Sequence, residues 1–306
     1  MARLLFVSPV SHNRGGAPTS LLKLIKYLRD RHNIAVIMPT LGSLAGVLQK
    51  ERIPCYTSSL RLRFLPFLAW FILQGKYDLV YANGYHFRCV PTLLAAKLTR
   101  RPFIWHIREI LETRKAGRWL NYTTSIVANS QASAISVKQR APNKHVTVVP
   151  NGVELAEFRF DHDRAKRSIL NAMNLQDHCT LVINVGRICT QKNQIDTVET
   201  AARLIPDFPN TVFAFLGHFQ EEHYTVRVKE RIAELGIQRN VRLVGFRENV
   251  GQWYCGADVL VHTSRKESQG RVFLESMAAR LPVAAYDVGG ISESVVAGET
   301  GFLVPF

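Results

Sequence analysis

The chain has no C-x-x-C pair, no apolar stretch long enough to cross a bilayer, no internal repeat and no low-complexity tract. Its five cysteines (Cys55, Cys89, Cys179, Cys189 and Cys255) are scattered and odd in number. That argues against a disulfide framework or a zinc site and for the reduced thiols of a cytoplasmic protein. The N-terminal run Leu4-Leu5-Phe6-Val7 is too short for a secretory signal and reads as a buried strand. Residues 64–73 form an apolar segment behind Arg61 and Arg63. As a helix it reaches about 15 Å, half a bilayer core, so it cannot span. A packed helix of a first domain is the simpler expectation; an interfacial helix resting on anionic lipid is the sharper one.

What the chain does have is positive charge. Its 306 residues carry a formal net charge of +15, against an ordinary apolar fraction of 47%. Such an excess attracts polyanions, whether nucleic acid, an anionic membrane surface or phosphorylated small molecules. The aromatic residues sit in apolar runs and are not interleaved with Lys and Arg, so a nucleic-acid partner is not expected.

Short apolar runs recur at residues 4–7, 34–38, 79–82, 103–107, 126–129 and 146–149. Runs of this length without strict alternation suit strands buried on both faces of a parallel sheet. Between the first two lies a helical stripe, Leu21, Leu22, Ile25 and Leu28, with Thr19 or Ser20 available as cap. Pro150-Asn151-Gly152 is turn chemistry, and residues 154–167 read as a charged, aperiodic linker. A second series follows at 181–185, 212–216, 241–244, 259–262, 283–286 and 302–304. The fold class expected is α/β, two Rossmann-like doubly wound domains, 1–155 and 156–306, facing across a ligand-binding cleft.

Chemistry is sought just after strands. Gly15 and Gly16 follow the first strand and let backbone N–H groups approach an anion at a helix N-terminus, although no G-x-G-x-x-G is present. Gly186-Arg187 and Lys192 follow the first strand of the second series, where a planar guanidinium and a mobile ammonium suit one diphosphate. The densest block runs from His262-Thr263-Ser264 through Glu267, Gly270, Arg271 and Val272 to Glu275. Glu267 falls in a loop, and Glu275 about one turn into the next helix; ionised carboxylates there accept hydrogen bonds from hydroxyls. Asp161-His162-Asp163 imitates an Asp-x-Asp metal signature but lies in the linker, so no metal and no other cofactor is expected.

The Glu-x7-Glu block is followed by Leu281-Pro282-Val283, Gly289-Gly290-Ile291-Ser292-Glu293 and Gly298-Glu299-Thr300-Gly301. With Asn151-Gly152-Val153, Gly186-Arg187, Lys192 and Gly15-Gly16, this resembles the large retaining glycosyltransferase family four, which has the GT-B fold. The resemblance implies a nucleotide-diphosphate-sugar donor, no metal, and an acceptor domain ahead of a donor domain. It implies that Arg187 and Lys192 neutralise the donor diphosphate as it leaves, and that Glu275 accepts the ribose hydroxyls. Glu267 would contact the transferred sugar, Gly15 and Gly16 would admit phosphates or acceptor, and His106 would face the sugar. Gly186, Gly270, Arg271 and Val272 complete the implied donor site.

Relatives of this kind carry an aromatic residue where Gln269 stands, a second glycine where His218 stands, and further helices beyond the point where this chain stops at Phe306. The C-terminal domain is therefore expected to be incomplete. The expected activity is retaining hexosyl transfer to a glycolipid or polysaccharide acceptor in cell-envelope synthesis. The expected location is the cytoplasm, with peripheral contact at the anionic inner face of the membrane. A catalytically inactive GT-B scaffold and a nonhydrolysing sugar-nucleotide epimerase are the alternatives.

Overall fold

The structure, a computed structural model, describes residues 1–112 and 115–306 and divides into two compact units, Met1–Gly152 and Val153–Phe306. In the N-terminal unit the order is β1 (Arg3–Val7), α1 (Gly16–Leu28), β2 (Asn33–Met38), α2 (Ser43–Lys50), β3 (Cys55–Thr57), α3 (Leu65–Gln74) and β4 (Leu79–Asn83). It continues with α4 (Val90–Leu98), β5 (Phe103–Ile107), α5 (Lys115–Leu120), β6 (Ser125–Ala128), α6 (Gln131–Lys138) and β7 (Val146–Val148). All of these strands pair in parallel, in the order β3-β2-β1-β4-β5-β6-β7.

The apolar runs become strands because both faces of the sheet are covered. Leu5, Val7, Ile37, Val80, Ala82, Phe103, Trp105 and Ile126 join one core cluster, while Leu4, Phe6, Ile34, Val36, Met38 and Tyr81 join another. Alternate residues of one strand thus feed two separate cores, and the sequence shows an unbroken apolar run. Truncating one such Leu or Ile to Ala costs about 2–5 kcal/mol.

In the C-terminal unit the order is α7 (His162–Ala172), β8 (Thr180–Val185), α8 (Gln194–Leu204), β9 (Thr211–Leu216), α9 (Glu222–Glu234) and β10 (Val241–Gly245). Then come α10 (Val250–Gly256), β11 (Val259–His262), α11 (Arg271–Ala278), β12 (Val283–Tyr286) and β13 (Gly301–Val304). Its parallel sheet has the order β10-β9-β8-β11-β12-β13. Both sheets are doubly wound. Strand order reverses between β1 and β4 in one and between β8 and β11 in the other, and such reversals are where open α/β sheets bind ligands.

Three local expectations are corrected. The charged segment near residue 160 is not a plain linker: Asp161 accepts from the Arg164 amide at 2.9 Å and caps α7, which buries Ala165, Ile169 and Leu170. Its polar exposed face hid that stripe. Neither Thr19 nor Ser20 caps α1, because the helix opens earlier, at Gly15, and Thr19 lies inside it with its hydroxyl donating to the Gly15 carbonyl at 2.9 Å. An additional edge strand, β3, is present; two of its three residues are exposed, so it carries little apolar signal.

Residues 64–73 do form a helix, α3, with Leu68 and Ile72 buried and Phe67, Trp70 and Leu73 exposed. Among the described residues no helix is long and apolar enough to cross a membrane. All five cysteines are free thiols, four of them buried.

Candidate active site

The richest polar cluster of the C-terminal unit lies at its strand reversal. The loop after β8 and the loop after β11 are laced together. The Arg265 amide donates to the Gln191 carbonyl at 3.0 Å, and the Thr263 hydroxyl donates to the Asn193 carbonyl at 2.8 Å. The Gln191 amide group donates to the Lys266 carbonyl at 3.1 Å. The loop after β12 joins them through Gly290, whose amide donates to the Glu267 carbonyl at 3.1 Å. A Cβ at Gly290 would stand 1.9 Å from the Ser268 carbonyl oxygen, so only glycine permits this approach.

Glu267 is buried inside this lacing, and Lys192 Nζ donates to its Oε1. The same oxygen lies 3.1 Å from His262 Nε2 and 3.2 Å from the Ser264 hydroxyl. Burial by itself would raise the pKa of Glu267. The Lys192 charge and the His262 hydrogen bond outweigh that and hold the carboxyl well below the usual carboxylate range. Burial lowers the pKa of His262 and keeps the ring neutral, against the opposing pull of Glu267. An ionised Glu267 places the imidazole proton on Nε2, leaving Nδ1 as a buried acceptor without a hydrogen-bond partner among the described residues.

Glu275 lies five residues into α11, where Arg271 Nη2 approaches its Oε1 at 3.0 Å and the Tyr254 hydroxyl donates to its Oε2 at 3.0 Å. An ionised carboxylate has about four acceptor sites, so each oxygen retains capacity for a further hydroxyl. Gly270 opens α11 at φ 75°, and a Cβ there would meet the Phe273 ring at 2.4 Å. Val272, in the first turn, packs on the core, and the opening amides of the helix form an anion-attracting end. Gly186 runs beside the aliphatic stem of Lys192, with 3.7 Å from a notional Cβ. Arg187 is exposed.

In the N-terminal unit a second polar group lies at the reversal between β1 and β4. Gly15, at φ 96°, and Gly16 open α1 and are exposed. Asn83, at the end of β4, donates to the Ala17 carbonyl at 3.0 Å and accepts from Arg108 Nε at 2.6 Å. His106 lies within β5, opposite Asn83, and bonds to the Tyr81 hydroxyl through Nδ1. Burial pushes Tyr81 up to about 12, so it keeps its proton and donates. Burial, reinforced by Arg108, pushes His106 down to about 2, so the ring is neutral and its proton sits on Nε2. That N–H is buried and has no hydrogen-bond partner among the described residues. An unsatisfied buried donor of this kind costs about 1–3 kcal/mol.

The sequence pattern thus leads to two separate polar centres: Lys192, Glu267, Arg271 and Glu275 with the α11 terminus, and Gly15, Gly16 and His106 with the α1 terminus. Tyr81, Asn83, Tyr254, His262 and Ser264 hold these groups and were not read as site residues. For His262 and Ser264 the signal was there, in the strand ending that frames Glu267. Tyr81, Asn83 and Tyr254 carry none, because they sit in apolar runs.

Two parallel-sheet Rossmann-like units, each with polar groups at its strand reversal, define the GT-B class. The fold superposes on Anabaena Alr3699/HepE in a crystal structure with UDP and glucose, at a TM-score of 0.88 and 26% identity, covering 100% of this chain and 86% of that one. Residues 14–157 match the family described as Glycosyltransferase Family 4, and residues 166–306 match Glycosyl transferases group 1. The chain belongs to the group 1/family 4 glycosyltransferases of GT-B fold.

A similar curated protein is the lipopolysaccharide core biosynthesis mannosyltransferase LpsB of Rhizobium meliloti (strain 1021). It is 28% identical over 94% of this chain and 79% of its own length. A D-inositol 3-phosphate glycosyltransferase of Jonesia denitrificans is 30% identical over 60% of this chain and 45% of its own. The matched region is thus less than half the length of that second relative.

Proposed function

We propose that the chain is a retaining hexosyltransferase that takes its sugar from a nucleoside diphosphate sugar and delivers it to a glycolipid or polysaccharide acceptor. The observation that carries this reading is Glu267, a buried carboxylate kept ionised by Lys192 at a sheet's strand reversal, in the loop that leads into α11 and its Glu275. Carboxylates in such a place accept hydrogen bonds from sugar hydroxyls: Glu275 from the ribose, Glu267 from the transferred hexose. Arg187, Lys192 and the opening amides of α11 at Gly270, Arg271 and Val272 stabilise the charge that grows on the departing diphosphate. Gly186 lets the backbone pass close by. In the N-terminal unit, Gly15 and Gly16 admit phosphate or acceptor, and the unpartnered Nε2–H of His106 donates to a sugar oxygen.

In the transfer, the bond from the anomeric carbon to the diphosphate oxygen breaks and a bond to the acceptor oxygen forms on the same face. The acceptor proton passes to the leaving diphosphate. No metal is required in this reading, because Arg187 and Lys192 supply the counter-charge. UDP-glucose is the first donor to try, since the similar HepE structure holds UDP and glucose. The acceptor class follows LpsB, whose name places it in lipopolysaccharide core synthesis. Contact with the cytoplasmic face of an anionic membrane would be made by α3 through Phe67, Trp70 and Leu73, behind Arg61 and Arg63.

A panel of nucleotide sugars tested by thermal shift, followed by incubation of the best binder with and without acceptor, is the test. A true donor at 100 times its Kd stabilises the fold by about 2.7 kcal/mol. Transfer only with acceptor supports the reading. An epimerised sugar without acceptor points to an epimerase, and binding without any turnover to an inactive scaffold. If no nucleotide sugar stabilises the protein, the reading fails. Sedimentation with anionic vesicles at low salt tests the membrane contact.

A further inference from the structure

The N-terminal unit carries a basic recess at the end of its sheet where β5 and β6 begin, opposite the end that carries its polar centre. A recess of about 390 Å³ there is lined by Lys97, Arg100, Arg101, Tyr122, Thr124 and Leu93 among others, with no acidic side chain in its wall among the described residues. Lys97 and Arg100 close α4, and Arg101 leads into β5; Arg100 takes a left-handed backbone, φ 53°, that turns the chain at this point. The Lys97 ammonium lies 4.2 Å from the centroid of the half-exposed Tyr122 ring. Thr124 accepts from the Phe103 amide at 2.9 Å through its hydroxyl oxygen, which leaves the hydroxyl proton available to donate.

Three cations drawn together without a counter-ion repel one another. Among the described residues none of Lys97, Arg100 and Arg101 forms an ion pair, and Arg101 Nε is buried without a hydrogen-bond partner. The acid at the start of the neighbouring strand, Asp78, accepts from the Arg3 backbone amide at 2.7 Å. A lone surface lysine is solvated and unremarked. Two arginines adjacent in sequence, an ammonium held over an aromatic ring and a free hydroxyl proton, all lining one concavity, match the oxygens of a phosphoryl group.

We infer that this recess is a phosphoryl-binding site, separate from the polar centres at the strand reversals, which takes a phosphate monoester or pyrophosphate group. Arg100 and Arg101 bind the phosphoryl oxygens through paired N–H groups, Lys97 neutralises charge, and Thr124 donates one hydrogen bond. The ligand is either a free phosphorylated molecule or the headgroup of an anionic lipid; the recognition chemistry is the same.

Amide hydrogen exchange of the full chain, with and without inorganic pyrophosphate, tests the inference. Protection is expected at residues 97–103 and 122–124. Lys97→Gln and Arg100→Gln, both at exposed positions, should each move the pyrophosphate midpoint at these amides by about tenfold, since a hydrogen bond to a charged group contributes about that much. Any response of residues 186–192 in the same variants should be unchanged, which shows that they are folded. Vesicles of phosphatidic acid in phosphatidylcholine form a second arm. Protection of the recess by vesicles and pyrophosphate identifies a headgroup source, and by pyrophosphate alone a free ligand. No protection at 97–103 from either, or protection that survives both substitutions, overturns the inference.

Discussion

The two units solve the same topological problem and furnish their strand reversals with opposite electrostatics. In the C-terminal unit the central group is Glu267, kept charged by Lys192 and two further hydrogen-bonding side chains. In the N-terminal unit it is His106, kept neutral by burial and left with one nitrogen unpartnered among the described residues. Burial penalises the charged form in both cases; the Lys192 ammonium reverses the outcome at Glu267, and among the described residues no partner of opposite sign does so at His106. In the proposed function the compensated charge meets the diphosphate sugar, and the uncharged N–H meets a neutral sugar hydroxyl.

The largest way to break that contrast is to remove the compensation. Lys192→Met leaves Glu267 buried without its cation, and a loss of about 3–5 kcal/mol is expected in urea unfolding. Adding Glu267→Gln to it should recover much of that stability while activity stays lost. If the single substitution is nearly neutral, Glu267 is not held by Lys192 in solution.

The helix-opening glycines give a second comparison. Gly15 and Gly270 both have positive φ, so alanine at either incurs about 1–3 kcal/mol of backbone strain. Only at Gly270 does the new methyl group also meet a ring, that of Phe273. Gly270→Ala should therefore be the more destabilising of the two by thermal unfolding, by about 1–3 kcal/mol.

Titration sharpens the contrast next, because the two windows differ. His106 has a lowered pKa in the folded protein, so between about 2 and 6.5 the unfolded chain binds the extra proton and stability falls as pH falls through that range. The contribution to the slope is at most about 1.4 kcal/mol per pH unit. Glu267 is also depressed: its contribution is complete above 4.5 and is lost only as pH falls below it. His106→Gln should make the stability profile shallower from pH 6.5 downward, while the loss that Glu267 contributes below 4.5 remains. An unchanged slope there would mean that His106 titrates normally.

The smallest expected effect is that of Tyr254→Phe, which removes one hydrogen bond from Glu275. Sugar-donor affinity should weaken about three- to tenfold with little change in fold.

How much of this was legible in the chain varied with the range of the interaction. The strands at 103–107, 259–262 and 283–286 are legible to the residue, because a sheet covered on both faces writes an unbroken apolar run. Helix α7 was hidden because only Ala165, Ile169 and Leu170 face inward from a charged sequence. Glu267 and Glu275 stood out through local spacing. That Lys192 reaches Glu267, 75 positions away, and that Tyr254 reaches Glu275, depends on strand order, which no local pattern encodes. The unpartnered nitrogen of His106 is likewise a consequence of Tyr81 on the adjacent strand.

In the proposed function Glu275 and its surroundings hold the nucleotide of a sugar donor. Calorimetric titration of UDP-glucose, or of whichever nucleotide sugar gives the largest thermal shift, into the wild-type chain and Glu275→Ala tests it most directly. Binding to the wild type and at least about a tenfold weaker Kd for the variant are expected. Equal affinity in the two proteins would contradict it.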